Sequence, residues 1–142
     1  MPNRLLLAAM IVTLFPFTVP AQAKTCSPKE AEAADAMVDH LDDWAKVETT
    51  FKKYGHCDDG SIAEGNSEAV VRLLVDRWQA LPRLSPLLKR DPGLRKFVLR
   101  HVDGTADSED LDKIRQLSAS SCPQGMMEFC QDLGQAAVQA AQ

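Results

Sequence analysis

The residues best suited to carry chemistry lie close together between positions 54 and 68, a stretch that we call the joint segment. It holds an imidazole, a thiol and several carboxylates: His56, Cys57, Asp58, Asp59, Glu64 and Glu68. Imidazole, thiolate and carboxylate groups are the usual protein ligands of metals, and paired carboxylates can hydrolyse glycosides. The spacing matches no known metal-binding motif, and clustering on one loop is a poor arrangement for opposed carboxylates. A small enzyme or metal-binding protein is therefore the alternative function, and we predict no metal and no cofactor.

The joint segment is also suited to binding another protein. Gly55, Gly60 and Gly65 interrupt its pattern, and glycine reaches left-handed backbone conformations without steric cost. The segment is therefore predicted to be a shaped loop on which the chain turns back. Carboxylates on such a loop complement a basic surface and speed association with it. We predict that the partner-binding residues are Asp58, Asp59 and Glu64.

Other candidate catalytic residues are better explained by structure. His101 lies one turn beyond Phe97 and Val98 on a predicted apolar helix face, which favours a hydrogen-bonded histidine at the edge of the core. The sequence contains no Gly-x-Ser-x-Gly, Cys-x-x-Cys, His-Glu-x-x-His, phosphate-loop or dinucleotide motif. We therefore predict no catalytic residue and interpret the chain as a non-enzyme.

The chain begins like a secreted precursor. Arg4 precedes an apolar run over residues 5–19, and Ala21-Gln22-Ala23 forms a small-residue cleavage pattern,. We predict that residues 1–23 are a cleaved signal peptide of bacterial type, that residues 24–142 form a single domain, and that this domain resides in the periplasm. No later run is long and apolar enough for a membrane span.

The net charge of the chain limits the classes of molecule that it is expected to bind. The net charge is −4, and it becomes one unit more negative when Arg4 is removed with the signal peptide. Nucleic acids and anionic membranes attract basic patches, and the sequence concentrates no basic residues in one place. These partners are therefore disfavoured, whereas a cationic protein, such as a secreted effector, is favoured.

All four cysteines follow the predicted cleavage site: Cys26, Cys57, Cys122 and Cys130. An even number in an exported protein predicts two disulfides. A continuous helix over residues 28–54 would be about 40 Å long, which keeps Cys26 from Cys57, since disulfide-bonded Cα atoms lie within about 7 Å. A helix between Cys122 and Cys130 would separate them by about 12 Å. We therefore expect each early cysteine to pair with a late one, and counting helices up and down favours Cys26 with Cys122 and Cys57 with Cys130.

Helical periodicity dominates the rest of the sequence. Apolar residues recur at steps of three and four, and residues that cap or end helices separate the periodic runs. No alternation long enough for a strand is present. The sequence predicts an all-α, disulfide-stapled bundle of about five helices, with helices over 28–54, 66–81, 92–104 and 108–121, one from about 123, and a short helical turn at 84–88.

Four segments carry a resemblance to known proteins: residues 57–65, 70–78, 97–101 and 122–123. In these segments the chain resembles a group of small, secreted, uncharacterised helical proteins of proteobacteria. In size, signal peptide, cysteines and helicity it is also similar to periplasmic immunity proteins that neutralise cell-wall-degrading toxins of type VI secretion. The resemblance implies a periplasmic protein-binding module, such as an inhibitor or immunity protein, and assigns no functional residue.

Overall fold

The computed structural model describes residues 23–142, and within them it contains seven α-helices, two short 3-10 helices and no strand. The all-α class predicted from the sequence is confirmed. The predicted signal peptide falls, apart from Ala23, outside the described residues and stays a prediction. The α-helices are α1 (Pro28–Val38), α2 (Trp44–Tyr54), α3 (Gly60–Asp76), α4 (Leu81–Arg90), α5 (Pro92–Arg100), α6 (Ser108–Ser120) and α7 (Met127–Ala140).

The long first helix expected over residues 28–54 is wrong, because the chain breaks between α1 and α2. Asp43 adopts an extended conformation and its side chain accepts the backbone N–H of Lys46 at 2.8 Å, which caps α2. Aspartate competes in this way for backbone donors and favours helix starts over helix interiors. The two halves therefore form separate helices in contact with each other.

The joint segment is mostly helical. A 3-10 helix covers Gly55–Cys57, and α3 begins at Gly60, several residues before the capping positions expected at Asn66 or Ser67. At the other end, α3 stops at Asp76, and Trp78 begins the second 3-10 helix, Trp78–Ala80. The predicted loop is thus reduced to a short connection before α3.

The helix α3 is central to the bundle, since it contributes more fully buried residues than any other element of residues 23–142. Its core residues are Ala69, Val70, Val71, Leu73 and Leu74. The glycine at position 65 lets α1 approach α3 closely, because a Cβ there would lie 2.8 Å from Val38 Cβ. The packing of α1 on α3 thus requires glycine at this position.

The first disulfide joins Cys26 to Cys57, a pairing that the sequence argument excluded. That argument assumed one rigid helix between them. Because α1 and α2 are separate, the chain returns to its starting point and the two Cα atoms lie 4.9 Å apart. The bridge ties the start of α1 to the connection before α3, and its cysteines pack with Ala34 and Ile62 in a small second core.

The second disulfide joins Cys122 to Cys130, so the expected bridges to Cys26 and Cys57 are both wrong. The last helix begins at Met127 rather than near Pro123, and Gly125 adopts a positive φ of 78° in the turn that precedes it. The chain between the cysteines is therefore a loop followed by one helical turn, and the Cα atoms come within 6.0 Å. Two disulfides are typical of secreted or extracellular proteins.

The last two helices form a contacting pair, α6 with α7, that packs against α3 and α5. Trp78 connects this pair to the central helix, because its Nε1 donates to the carbonyl oxygen of Ser121 at 2.8 Å. In residues 23–142, none of the helices combines the length and the apolar character needed to cross a membrane.

Candidate functional site

The three carboxylates predicted to share one exposed loop lie in three different settings. The side chain of Asp58 is only 3% exposed and is enclosed by hydrogen-bonding partners. Asp59 caps α3 by accepting the N–H of Gly60 at 2.9 Å. Glu64 is exposed on α3 itself. The expectation of one exposed loop is thus wrong for Asp58, while a partner-binding role for these residues stays a prediction.

Asp58 is held by side chains from two other parts of the chain. Asn66 Nδ2 donates to Asp58 Oδ1 at 2.9 Å. On the other oxygen, His101 Nε2 lies 3.0 Å from Asp58 Oδ2, and the guanidinium of Arg100 pairs with the same oxygen. The carboxylate therefore joins α3 to the end of α5.

The far side of His101 continues the network. Its Nδ1 lies 2.8 Å from Ser67 Oγ, and Ser67 Oγ lies 2.7 Å from Asp103 Oδ2. Asp103 in turn accepts hydrogen bonds from the backbone N–H and the hydroxyl of Thr105. We call the linked residues the buried polar cluster: Asp58, Asn66, Ser67, Arg100, His101 and Asp103. The prediction that His101 is a hydrogen-bonded histidine of the core is confirmed.

Charge states in the buried polar cluster follow from burial. Burial and the neighbouring Arg100 guanidinium lower the pKa of His101 to about 4, so its ring is neutral at pH 7. A neutral ring has one N–H, which donates from Nε2 to Asp58 because a carboxylate only accepts, so Nδ1 is left as an acceptor,. The single hydroxyl hydrogen of Ser67 therefore lies between two acceptors, His101 Nδ1 and Asp103 Oδ2, and serves one of them at a time,. Although burial acts to raise it, hydrogen bonds from Thr105 and Ser67 lower the pKa of Asp103.

Asp58, His101 and Ser67 are connected in the same order as the acid, base and nucleophile of a hydrolytic triad. Ser67 is nevertheless sealed, with 2% of its surface exposed, and its hydroxyl is shared with Asp103. It also lies inside α3, where backbone N–H groups are engaged in helical hydrogen bonds and cannot form an oxyanion hole,. The cluster is therefore suited to hold three segments of the chain together rather than to catalyse a reaction.

A groove of about 550 Å³ lies directly outside the buried polar cluster, between α3 and the start of α6. Ser67 belongs to both, because it also lines the groove. The floor includes the apolar side chains of Val71, Val75 and Ala106. We call this feature the acidic groove, after its five lining carboxylates: Glu64, Glu68, Asp76, Asp107 and Asp110.

The charge of the acidic groove is largely uncompensated. Arg72 is the one basic residue that lines it, and its guanidinium lies 3.4 Å from Glu68 Oε1. Within residues 23–142, the ion pairs involve none of the other four groove carboxylates. A row of unpaired carboxylates produces a negative potential that attracts cationic groups.

The residues behind the metal-binding alternative have other partners. Cys57 is oxidised in a disulfide, which removes its thiolate. His56 Nε2 lies 3.3 Å from Glu30 Oε1, although the angle between them does not make a hydrogen bond. Across residues 23–142, no group of three or more histidine, cysteine, aspartate or glutamate side chains is arranged to hold a metal ion.

The sequence singled out Glu64 and Glu68 in the joint segment but not the other carboxylates of the acidic groove, Asp76, Asp107 and Asp110. Glu64 and Glu68 are four residues apart and so share one helix face, and this spacing was a signal of a common acidic surface. The opposite wall of the groove comes from residues 105–110, about 30 residues beyond the end of α3, and a single sequence gives no measure of that proximity.

Comparisons with known proteins give no relative from which a function could be transferred. The chain matches no family model, and no significant match was found among curated proteins or solved structures. The geometry and charge of the acidic groove are therefore the evidence that bears on function.

Proposed function

We propose that the mature chain is a periplasmic protein-binding module whose acidic groove receives a basic segment of a secreted protein. The observation that carries the proposal is the combination of unpaired carboxylates with an apolar floor in one groove. A lysine- or arginine-bearing segment with apolar side chains complements both features. Its charges would meet the carboxylates on the rim, and its apolar side chains would cover Val71 and Val75.

The length of the groove favours a polypeptide over a small cation. Glu64 and Asp76 are twelve residues apart on α3, which corresponds to about 18 Å along the helix axis. Carboxylates distributed over such a distance are matched by basic residues repeated along a helix or an extended segment. The stapled helices also hold the groove in one shape before binding, which reduces the entropic cost of association.

An inhibitor or immunity protein is the form of binding module that these features support best. Enzymes that act on anionic cell-wall polymers use basic clefts to attract their substrate. An acidic groove presented to such a cleft would block it and would also accelerate the encounter. The two disulfides suit the oxidising compartment in which such an enzyme is met,.

The experiment compares three forms of the mature chain immobilised in a periplasmic extract. The first is the wild type. The groove triple variant removes unpaired groove charge through Glu64→Gln, Asp76→Asn and Asp107→Asn. The matched control removes exposed charge that has no ion-pair partner within residues 23–142 from α1 and its end, through Glu32→Gln, Asp35→Asn and Asp39→Asn. Captured proteins are identified by mass spectrometry, and their binding is then measured with purified components.

We expect a basic protein to be retained by the wild type and the control but lost from the groove triple variant. Its association rate should fall at least tenfold in the groove triple variant, and salt should slow the wild-type rate more than the variant rate. If all three forms retained the captured protein equally, the acidic groove would not be the binding surface.

A second arm tests the enzyme alternative directly. A fluorophosphonate probe labels activated serines, and the buried, shared hydroxyl of Ser67 should remain unlabelled. Labelling that disappears in Ser67→Ala, with the fold intact by circular dichroism, would favour a hydrolase over a binding module.

A further inference from the structure

A second groove lies between α6 and α7 and shares no lining residue with the acidic groove; none of the described residues that line it is acidic. It contains the two large hydrophobic side chains that are most exposed among the described residues, Met127 at 65% and Val138 at 45%. Its one charged lining residue is Arg115, which pairs with Asp112 at 2.8 Å. The face is therefore apolar and nearly neutral on a chain of net negative charge.

The groove residues of α7 follow the spacing of a helix-pairing seam. Met127, Gln131, Gly134 and Val138 are separated by four, three and four residues. This spacing places the residues on one stripe of the helix, as in the a and d positions of a coiled coil. The stripe faces outward, with no other element of residues 23–142 covering Met127 or Val138.

We propose that this face joins two copies of the mature chain through antiparallel α7 helices. A two-fold axis through the midpoint of the stripe, between positions 132 and 133, places Met127 of one copy opposite Val138 of the other. The same axis places Gln131 opposite Gly134. Each large side chain of one copy therefore meets its complement on the other copy. Such self-complementarity is what an isologous two-fold interface requires.

An unpartnered polar atom beneath the stripe supports the proposal. Ser118 is 8% exposed, its hydroxyl has no hydrogen-bond partner among the described residues, and it lines the groove. A Cβ built on Gly134 would lie 3.6 Å from Ser118 Cβ, so the glycine leaves a notch beside the hydroxyl. The amide of Gln131 from the second copy, which the two-fold places opposite Gly134, can enter this notch and hydrogen-bond to Ser118.

Electrostatic repulsion between copies favours a contact through this face over a contact through a more acidic one. Two copies with the same negative net charge repel each other, and the repulsion is greatest where unpaired carboxylates are concentrated. The side chains that line the α6–α7 groove add no carboxylate to the contact. A dimer formed there would also leave both acidic grooves open, because the two grooves share no lining residue.

The first experiment measures the mass of mature residues 24–142 by sedimentation velocity over a range of concentrations. We expect a reversible dimer in the wild type. Val138→Glu, which places a charge in the interface, should weaken dimerisation at least tenfold. Gln116→Glu, which adds the same charge to an exposed position of α6 outside the groove, should change the dissociation constant less than twofold.

Gly134→Ala separates dimer loss from misfolding. The added Cβ would lie 3.6 Å from Ser118 Cβ, an ordinary contact distance, and alanine improves helix propensity, so the variant should melt no lower than the wild type while the filled notch weakens dimerisation. A wild type that stays monomeric at every concentration would overturn the proposal. A dimer unaffected by either Val138→Glu or Gly134→Ala would also overturn it.

The second experiment tests the antiparallel register by disulfide trapping. Met127→Cys mixed with Val138→Cys should form cross-linked dimers on mild oxidation, with the new bridge located by peptide mass mapping. Each variant alone should cross-link poorly, because the like positions are separated by about 16 Å along antiparallel helices. Efficient cross-linking of either variant with itself would contradict this register. If Met127 is protected from peroxide oxidation in the full-length chain but not in residues 24–142, residues 1–22 rather than a second copy cover this face.

Discussion

The carboxylates on the two sides of Ser67 differ in their partners: among the described residues, those of the buried polar cluster are hydrogen-bonded, and most of those in the acidic groove are unpaired. On the inner side, Asp58 and Asp103 accept hydrogen bonds from neighbours that the fold brings to them. On the outer side, carboxylates of the acidic groove such as Glu64 and Asp76 have no ion-pair partner within the described chain. All of these side chains are carboxylates, and they differ in whether the fold places hydrogen-bond donors beside them.

This contrast separates structural charge from charge that is available for binding. Removing one member of a buried charged network destabilises a protein by several kcal/mol, because its partners are left unsatisfied. Removing an exposed charge changes stability by about 1 kcal/mol or less.

The largest loss should follow removal of the bridge beside the buried polar cluster. Cys26→Ser with Cys57→Ser opens a loop with a sequence separation of 31 residues, and Cys122→Ser with Cys130→Ser opens one of 8 residues. The chain-entropy relation gives losses of about 4 and about 2.5 kcal/mol in the free energy of unfolding. Urea denaturation of both variants measures the difference. A greater loss from the shorter loop would mean that local packing, not loop entropy, sets the contribution of these bridges.

The next prediction compares adjacent aspartates. Asp58→Ala should lower the free energy of unfolding by about 3 kcal/mol, because it leaves Asn66 and His101 without their acceptor in a buried site,. Asp59→Ala removes only a helix cap and should lower it by about 1 kcal/mol,. Equal losses, measured by urea denaturation, would mean that Asp58 is not the structural carboxylate that its burial indicates.

Acid should weaken the buried polar cluster through His101. Its pKa is about 4 in the folded chain and near 6.5 when exposed, so the unfolded state takes up the proton first as the pH falls. Stability should therefore decline from about pH 6.5 towards pH 4, and His101→Gln should reduce this decline. The charged groups that face the ring are Asp58, Arg100 and Asp103. Stability that instead rises towards acid would show that Asp58 holds the ring as an imidazolium.

The comparison also shows where sequence reasoning failed. Apolar residues continue in helical steps across the break between α1 and α2, since both Leu41 and Trp44 are buried. Periodicity therefore predicted one helix, and the wrong disulfide pairing followed from it. Asp43, whose side chain accepts the backbone N–H of Lys46, is a residue type that favours helix starts and was the local signal of the break,.

Properties set by neighbours in sequence were predicted more successfully than contacts between distant residues. The all-α class follows from local patterns and is confirmed. Asp91 is a local signal of the same kind, because its side chain caps α5 by accepting backbone N–H groups in the first turn of the helix,. The burial of His101 also followed from the apolar residues one turn before it. Its partners Ser67 and Asp58 lie 34 and 43 residues earlier. Only the folded chain reveals that they meet.

The smallest change in stability should come from the groove triple variant. Its three carboxylates have no ion-pair partner within residues 23–142 and repel one another across the acidic groove, so their removal should leave stability unchanged or raise it by up to about 1 kcal/mol. Asparagine at position 107 retains the preference for a helix N-cap,. Any gain should shrink as salt is added, because exposed charges are screened over about 10 Å at ordinary ionic strength.

Thermal melting of the wild type, the groove triple variant and the matched control at low and high salt measures this effect. The control should melt like the wild type at both salt concentrations, because its carboxylates lie outside the acidic groove. If the groove triple variant instead lost more than about 2 kcal/mol, these carboxylates would be structural. The acidic groove would then be an extension of the buried polar cluster, and the proposed binding surface would have to lie elsewhere on the chain.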